Sequence, residues 1–327
     1  MTKQPLHILK FRPILKEKIW GGNKLNALLG KKNTIGSETI GESWEVSDVE
    51  GNYSVICNGT LEGKTLHELL VDYKEQLVGI KNYKRFGTKF PLLIKFIDAK
   101  KDLSVQLHPG DELAKEKHNS LGKTEMWYIM QADPESDIII GFNQKMNLDV
   151  YQKNVIEKKI KNILHYEAVS GGETFFIYAG LIHAIGKGVL LAEIQQTSDI
   201  TYRVYDWDRQ DANGNFRELH QEDALQAVDF EEKTAFRVPY TIKKNEKTDL
   251  VTCAHFITNL LYVDNDMIIS HKELDSFVVY MCVEGKAVIR HKKEVVSIKL
   301  GETILVPAAI SKIKIESKNV KLLQTYI

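Results

Sequence analysis

The run Ser104-Val105-Gln106-Leu107-His108-Pro109 has the residue types and the spacing to bind a metal ion. In an extended chain, residues two apart point to the same face, so Gln106 and His108 aim side by side into one space. Glu125 follows 17 residues after His108, and His183 follows 58 residues after Glu125. Two imidazoles, one carboxylate and one amide oxygen form a nitrogen and oxygen donor set. Such a set suits zinc, iron or manganese, with a position left open for water or substrate. A single histidine in a β-protein is more often a hydrogen-bonded core residue. The adjacent glutamine and a repeated motif described below favour a ligand here. The other eight histidines, His118, His165 and His220 among them, lie in polar surroundings and are expected at the surface.

Charged residues in apolar company surround this set. Lys95 interrupts the run 91–97, PLLIKFI, where a buried lysine needs a partner or a task; the bland alternative is an edge-strand lysine. Lys123 lies two residues before Glu125 and shares its face of the strand. Glu193, Gln195 and Thr197 share one face of the following polar stretch, with Arg203 further along. A carboxylate base and a cation near a metal suit proton abstraction beside a carbonyl, since the cation steadies the developing oxyanion. Asp206, Asp208 and Arg209 are expected in a solvated turn. No glycine-rich phosphate loop and no G-x-S-x-G elbow is present.

Short strands must position these residues. Apolar, β-branched or aromatic runs begin at Phe90, Glu125, Ser136, Glu173 and Val189. Further runs begin at Ser276, Lys286, Glu294, Glu302 and Ser311. Many short strands with regular turns imply a sandwich or barrel. Four helices are expected: one from Thr65, with Thr65 and Glu68 placed as a capping box, and others over 108–122, 147–164 and 217–230. The segments 172–183 and 301–312 share a Gly-Glu-Thr start and the same spacing, with Lys312 where the first has His183. Two similar barrels therefore follow each other, a catalytic unit over residues 1–238 and a degenerate one over 239–327, with no metal expected in the second.

Composition narrows the function. The chain has 327 residues, with 44 Lys plus Arg balanced by 44 Asp plus Glu, which argues against nucleic acid and a polybasic membrane anchor as partners. Three dispersed cysteines exclude a disulfide framework and fit a reducing cytoplasm. Residues 174–194 are long enough to cross a bilayer, but their glycines and charges point to turns between buried strands. No oligomeric state is written in these residues.

The runs PLLIKFIDAKKDLSVQLHP (91–109), GKTEMWYI (122–129), AGLIHAIGKG (179–188) and EIQQTSDITYRVYDWDR (193–209) occur in this order. Together with Trp20-Gly21-Gly22 and GESWEVSD (41–48), they resemble the type I mannose-6-phosphate isomerase family in its short bacterial form. The resemblance implies a mainly β fold of two cupin jelly-roll barrels with a few helices. It implies one zinc ion per chain, held by Gln106, His108, Glu125 and His183. It further implies interconversion of mannose 6-phosphate and fructose 6-phosphate through a cis-enediol(ate). Arg203 is then the residue most firmly tied to catalysis. Glu193, Lys95, Lys123, Ser104 and Asp199 match family pocket positions, with Glu193 favoured as base or proton relay. Longer members carry a tyrosine two residues after the last zinc histidine, where this chain has Ile185. They also carry a large helical insertion, for which only residues 147–164 could stand here. A sugar-binding barrel without catalysis and an iron-dependent oxygenase are the competing readings.

Overall fold

A computed structural model of the chain describes residues 3–33, 36–210, 213–231 and 235–327. Two antiparallel sheets face each other in the first half. The larger runs, in spatial order, through strands Thr174–Ile177, Glu125–Ala132, Val189–Gln196, Leu92–Ala99, Ile40–Val46 and Ile14–Gly22. The smaller runs through Leu164–Ala168, Asp137–Phe142, His183–Ile185, Val105–Leu107 and Tyr202–Tyr205. Consecutive strands repeatedly cross from one sheet to the other, as in a jelly roll. Their inner faces enclose Trp20, Ile97, Trp127, Ile129, Ile138, Ile140, Phe175 and Leu191.

The outer face of the larger sheet is apolar as well. Phe90, Ile94, Phe96, Met126 and Ile194 share one core with Leu260, Phe277, Val279 and Leu323 of the second half. That is why the Leu92–Ala99 and Val189–Gln196 strands are buried at every position, and why their sequences run apolar instead of alternating. Helices cover the smaller sheet: Tyr151 and Ala224 pack with Val105, Leu107, Ile139 and Tyr202.

The second half is a nine-stranded sheet system built around the bent strand Val278–His291. This single strand spans two runs that the sequence separates. It hydrogen-bonds to Glu294–Lys299, Thr303–Val306, Lys312–Glu316 and Val320–Tyr326. The short strand Leu9–Lys10 joins the same system by pairing with Leu305 and Ile304.

The capping box is formed: Glu68 N donates to Thr65 Oγ1 at 3.1 Å, and Thr65 N donates to Glu68 Oε2 at 2.7 Å. The helix it starts, Leu66–Tyr73, is broken at Lys74 (φ +50°) and continues as two short pieces. The three other expected helices are shorter than the sequence suggests, the one expected over 108–122 being Asp111–His118. Leu148–Ile156 ends before Lys158, which takes φ +58°, and the chain then turns into the Leu164–Ala168 strand. Gln221–Ala227 leaves Arg217 outside the helix, in irregular chain. Residues 174–194 form three short strands, and no helix among the described residues is long and apolar enough to cross a membrane.

Candidate active site

Strand register brings the site together. In the smaller sheet, Gln106 pairs across with His183 on one side and Arg203 on the other. In the larger sheet, Glu193 pairs with Lys95 and with Trp127, and Gln195 pairs with Glu125. Directly opposed residues on a common face lie within reach of each other. The turn before His183 is pinned from behind. Gly180 N donates to the His108 carbonyl at 2.8 Å, and its φ of +87° and the Ala227 carbonyl 2.6 Å from where a Cβ would sit leave no room for a side chain.

His108 donates Nδ1–H to the Ile200 carbonyl at 2.9 Å, and His183 donates Nδ1–H to the Leu181 carbonyl at 2.8 Å. Each Nε2 therefore turns an acceptor lone pair inward. Ligand atoms of His108, Glu125 and His183 all lie within 4.8 Å of one another, and all three residues are buried. Burial pushes His108 well below the ordinary histidine range and His183 down to about 4, so both imidazoles are neutral. Burial and then the nearby Glu193 push the Glu125 carboxyl up, with Lys123 and Lys95 opposing. The cluster calls for a cation: the Lys123 ammonium lies 2.9 Å from His108 Nε2 and 3.3 Å from Glu125 Oε2. Gln106 Nε2 lies 3.5 Å from His183 Nε2, while its Oε1 accepts from Ser104 Oγ at 3.3 Å. A half-turn of that amide presents its oxygen to the cluster. These donors fit a borderline divalent metal.

The opposite wall carries charge. Lys95 Nζ lies 3.0 Å from Glu193 Oε2 and donates to Gln195 Oε1 at 2.7 Å. Its strand pairs on both sides, so Lys95 is central and the edge-strand alternative fails. Burial opposes the charge on Glu193, but Lys95 and then Lys123 hold its carboxyl below the usual range. Burial likewise opposes Glu42, yet Lys95, Lys18 and the Trp44 indole bring it down to about 2. The Trp127 indole N–H is shared, 3.1 Å from Glu125 Oε1 and 3.1 Å from Glu193 Oε1.

Between these walls is a cavity of about 130 Å³. Lys18, Lys95, Lys123, Arg203 and Arg217 line it, against the carboxylates Glu42, Glu193 and Asp199. This surplus of cations suits an anionic substrate. Arg203 donates Nη1–H to the Glu218 carbonyl at 2.8 Å and leaves its buried Nε–H without a hydrogen-bond partner. Ser104 is buried in the wall, Asp199 stands at the rim, and Ile185 lines the cavity. A larger hollow of about 430 Å³ beside Ile156 and Phe216 borders no metal-capable cluster among the described residues, so chemistry and not size marks the site.

Of the residues expected at the site, Lys95, Ser104, Gln106, Lys123, His183, Glu193, Asp199 and Arg203 line this cavity, while His108 and Glu125 sit behind the lining, in contact with Lys123 and Trp127. Several others were not foreseen as site residues. Lys18 and Arg217 arrive from distant segments with no local signal, and Glu42 was passed over inside the 41–48 run. Trp20 and Trp44 had one, in the WGG and GESWEVSD runs. A Cβ on Gly41 would lie 2.5 Å from the Trp20 ring, and one on Gly21 would lie 2.4 Å from Gly41 N, so the two glycines let Trp20 fold down onto the sheet. Two expectations fail. Asp206 is not in a solvated turn: it is buried, accepting from Arg209 and from Arg217 Nε at 2.7 Å. His271 is not at the surface: it is buried in the second half, bonded to Tyr280 Oη at 2.8 Å.

Comparison with known proteins agrees with this geometry. The family model for the phosphomannose isomerase type I catalytic domain matches residues 8–141, and that for the mannose-6-phosphate isomerase cupin domain matches residues 246–327. Mannose-6-phosphate isomerase ManA of Bacillus subtilis (strain 168) is 35% identical over 323 residues, covering 97% of each chain. The crystal structure of a mannose 6-phosphate isomerase from Bacillus subtilis superimposes with a TM-score of 0.87 at 30% identity, covering 98% of this chain and 99% of that one. A putative mannosephosphate isomerase from Archaeoglobus fulgidus, at 21% identity and a TM-score of 0.78 over 99% of each chain, shares the fold. Sequence, jelly-roll fold and buried His/Glu/His cluster converge, and the chain belongs to the type I mannose-6-phosphate isomerase family.

Proposed function

We propose that this chain interconverts mannose 6-phosphate and fructose 6-phosphate by moving a proton between carbons 1 and 2 through a cis-enediol(ate). The observation that carries the reading is the buried Lys95–Glu193 pair, set in one cavity with the His108, Glu125 and His183 cluster. One zinc ion is assigned to Gln106, His108, Glu125 and His183, where it would supply a Lewis acid or an orienting template.

Glu193 is the base or proton relay. A base must be ionised, as its carboxylate is, and the Trp127 N–H fixes one oxygen while Lys95 faces the other. Lys95 and Arg203 bring positive charge to the sugar oxygens as the enediolate develops. Lys123, Ser104 and Asp199 contact the substrate. The wider surplus of cations, Lys18 and Arg217 included, is suited to the phosphate. In this reading residues 1–238 carry the chemistry and 239–327 carry none. The three unpaired cysteines fit a reducing, cytoplasmic setting.

The test is formation of fructose 6-phosphate from mannose 6-phosphate by the purified protein, before and after chelation and with added metals. Activity lost to chelator and restored by zinc is expected. His108→Ala removes one imidazole ligand and should lose both the metal and the activity. Full turnover after complete metal removal would overturn the zinc assignment. Binding of the phosphosugar with no turnover in any metal would shift the reading to a sugar-binding barrel.

A further inference from the structure

Gln195 has no solvent exposure, and its whole amide is engaged. Oε1 accepts from Lys95 Nζ at 2.7 Å. Nε2 donates to the Gln196 carbonyl at 3.0 Å and to the Ser198 carbonyl at 2.6 Å. This orientation is forced, because an ammonium has only donors and a carbonyl only accepts. The strand ends at Gln196, and the next residues leave the sheet across the mouth of the cavity. In that segment the Ile200 carbonyl receives Nδ1–H of His108, while Asp199 and Thr201 line the cavity. One side chain thus links the Lys95–Glu193 pair on one wall to the turn that orients an imidazole of the other.

We propose that Gln195 is a positioning residue. It fixes the Lys95 ammonium beside Glu193, and it fixes the 196–200 turn so that the Ile200 carbonyl sets the ring of His108. The acid–base pair and the metal-capable cluster are then held in one frame by a residue that itself touches neither sugar nor metal. The idea rests on the isomerase reading for its kinetic consequence. Its geometric consequence, the setting of His108, does not depend on that reading.

Two substitutions separate the two arms. Gln195→Met keeps the volume and removes all three bonds. Gln195→Glu keeps an acceptor for Lys95 and removes both donors to the turn. With the full chain loaded with cobalt(II), the visible absorption band reports the geometry of the His108 cluster without any substrate. Both variants should shift that band and release cobalt faster than the native chain. In turnover of mannose 6-phosphate, Gln195→Met should lower kcat by about 30- to 100-fold, with KM within about threefold, as expected when reacting groups are misplaced by a fraction of an ångström. A folded Gln195→Met with native kcat and a native cobalt band would overturn the proposal. If that variant does not fold, a native cobalt band and native cobalt release in Gln195→Glu would overturn it. A native chain with no isomerase activity would sink the isomerase reading instead, and the cobalt band would still decide the role of Gln195.

Discussion

Lys95 and Glu193 face each other on adjacent strands, 3.0 Å apart, with side chains only 7% and 4% exposed. Both charges lie in the cavity wall, largely out of water. Removing one partner leaves the other with weaker compensation, from Lys123 for Glu193 and from Glu42 for Lys95, at a cost of up to about 3–5 kcal/mol. Lys95→Met should therefore lower the denaturant midpoint strongly. Lys95→Met combined with Glu193→Gln should recover part of the loss. A double-mutant cycle on unfolding free energies measures the coupling, and additive losses would show that the pair does not act as a unit. Glu193→Gln alone should cut kcat by about 10²- to 10⁴-fold, the usual range for loss of a general base.

Arg217 reaches the cavity from irregular chain, with Asp206 accepting from both it and Arg209. A cation held this way meets a phosphate at little entropic cost. Arg217→Met should raise KM for the phosphosugar by about tenfold while kcat holds, the behaviour of an interaction made equally in ground and transition states. Asp206→Asn should do the same more weakly, by loosening the arginine. Steady-state kinetics at fixed ionic strength provide the check, and an unchanged KM in Arg217→Met removes that residue from substrate binding. Raising the salt should raise the native KM as well, since counterions screen the cation surplus.

Gly41 and Gly21 are occupied space. A methyl group on Gly41 meets the Trp20 ring at 2.5 Å and Lys18 Cβ at 2.7 Å, whereas one on Gly21 meets the backbone of Gly41 at 2.4 Å. Side chains yield more readily than backbone. Gly41→Ala should cost about 1–3 kcal/mol as an overpacked site and, by pushing Trp20 and Lys18 into the cavity, raise KM. Gly21→Ala should be the more destabilising of the two. Thermal midpoints rank them, and the reverse order would contradict the packing described.

His271 donates Nδ1–H to the Ile310 carbonyl at 3.3 Å and accepts at Nε2 from Tyr280, whose hydroxyl in turn accepts from Gln324 at 2.9 Å. No carboxylate is bonded to the ring among the described residues. Burial holds its pKa below the ordinary histidine value, with the Ile310 carbonyl opposing. The unfolded chain therefore takes up this proton more readily than the folded one. The contribution is fully present above the ordinary histidine pKa of about 6.5 and is lost as pH falls from there through the lower folded value. Between pH 7.5 and 5 the native chain should lose more stability than His271→Gln. Equal slopes in the two proteins would refute the assignment.

The legible part of the site was the part written in short-range pattern. Gln106 and His108 stand two apart on one strand, Lys95 breaks an apolar run, and Lys123 and Glu125 share a face. Period-two spacing carries that information directly. Lys18 and Arg217 were illegible because they join the site only through sheet closure across distant segments. Asp206 and His271 were misread for a related reason. Ser270, Lys272 and Glu273 around His271 are exposed, so local composition reports a surface while the imidazole turns inward to Tyr280. Of the fold, the strands of continuous apolar sequence were clear. Ile14–Gly22 and Tyr202–Tyr205 were not, because charges and glycines that serve the cavity dilute their pattern. The early end of the Leu148–Ile156 helix had no signal at all, since Lys158 adopts a left-handed conformation without glycine or proline nearby.

The pairing of Leu9 with Leu305 and Lys10 with Ile304 has a consequence for synthesis on the ribosome. Ile8 is fully buried in the core of the second half, and its amide is held by Glu294. These residues must wait until residues near 306 have left the exit tunnel before they find their partners. Meanwhile the strand Ile14–Gly22, which begins four residues later and supplies Lys18 and Trp20 to the cavity, is left without its anchor on that side. A nascent polypeptide with all of its metal-capable residues already translated thus still lacks the tether beside one wall of its cavity.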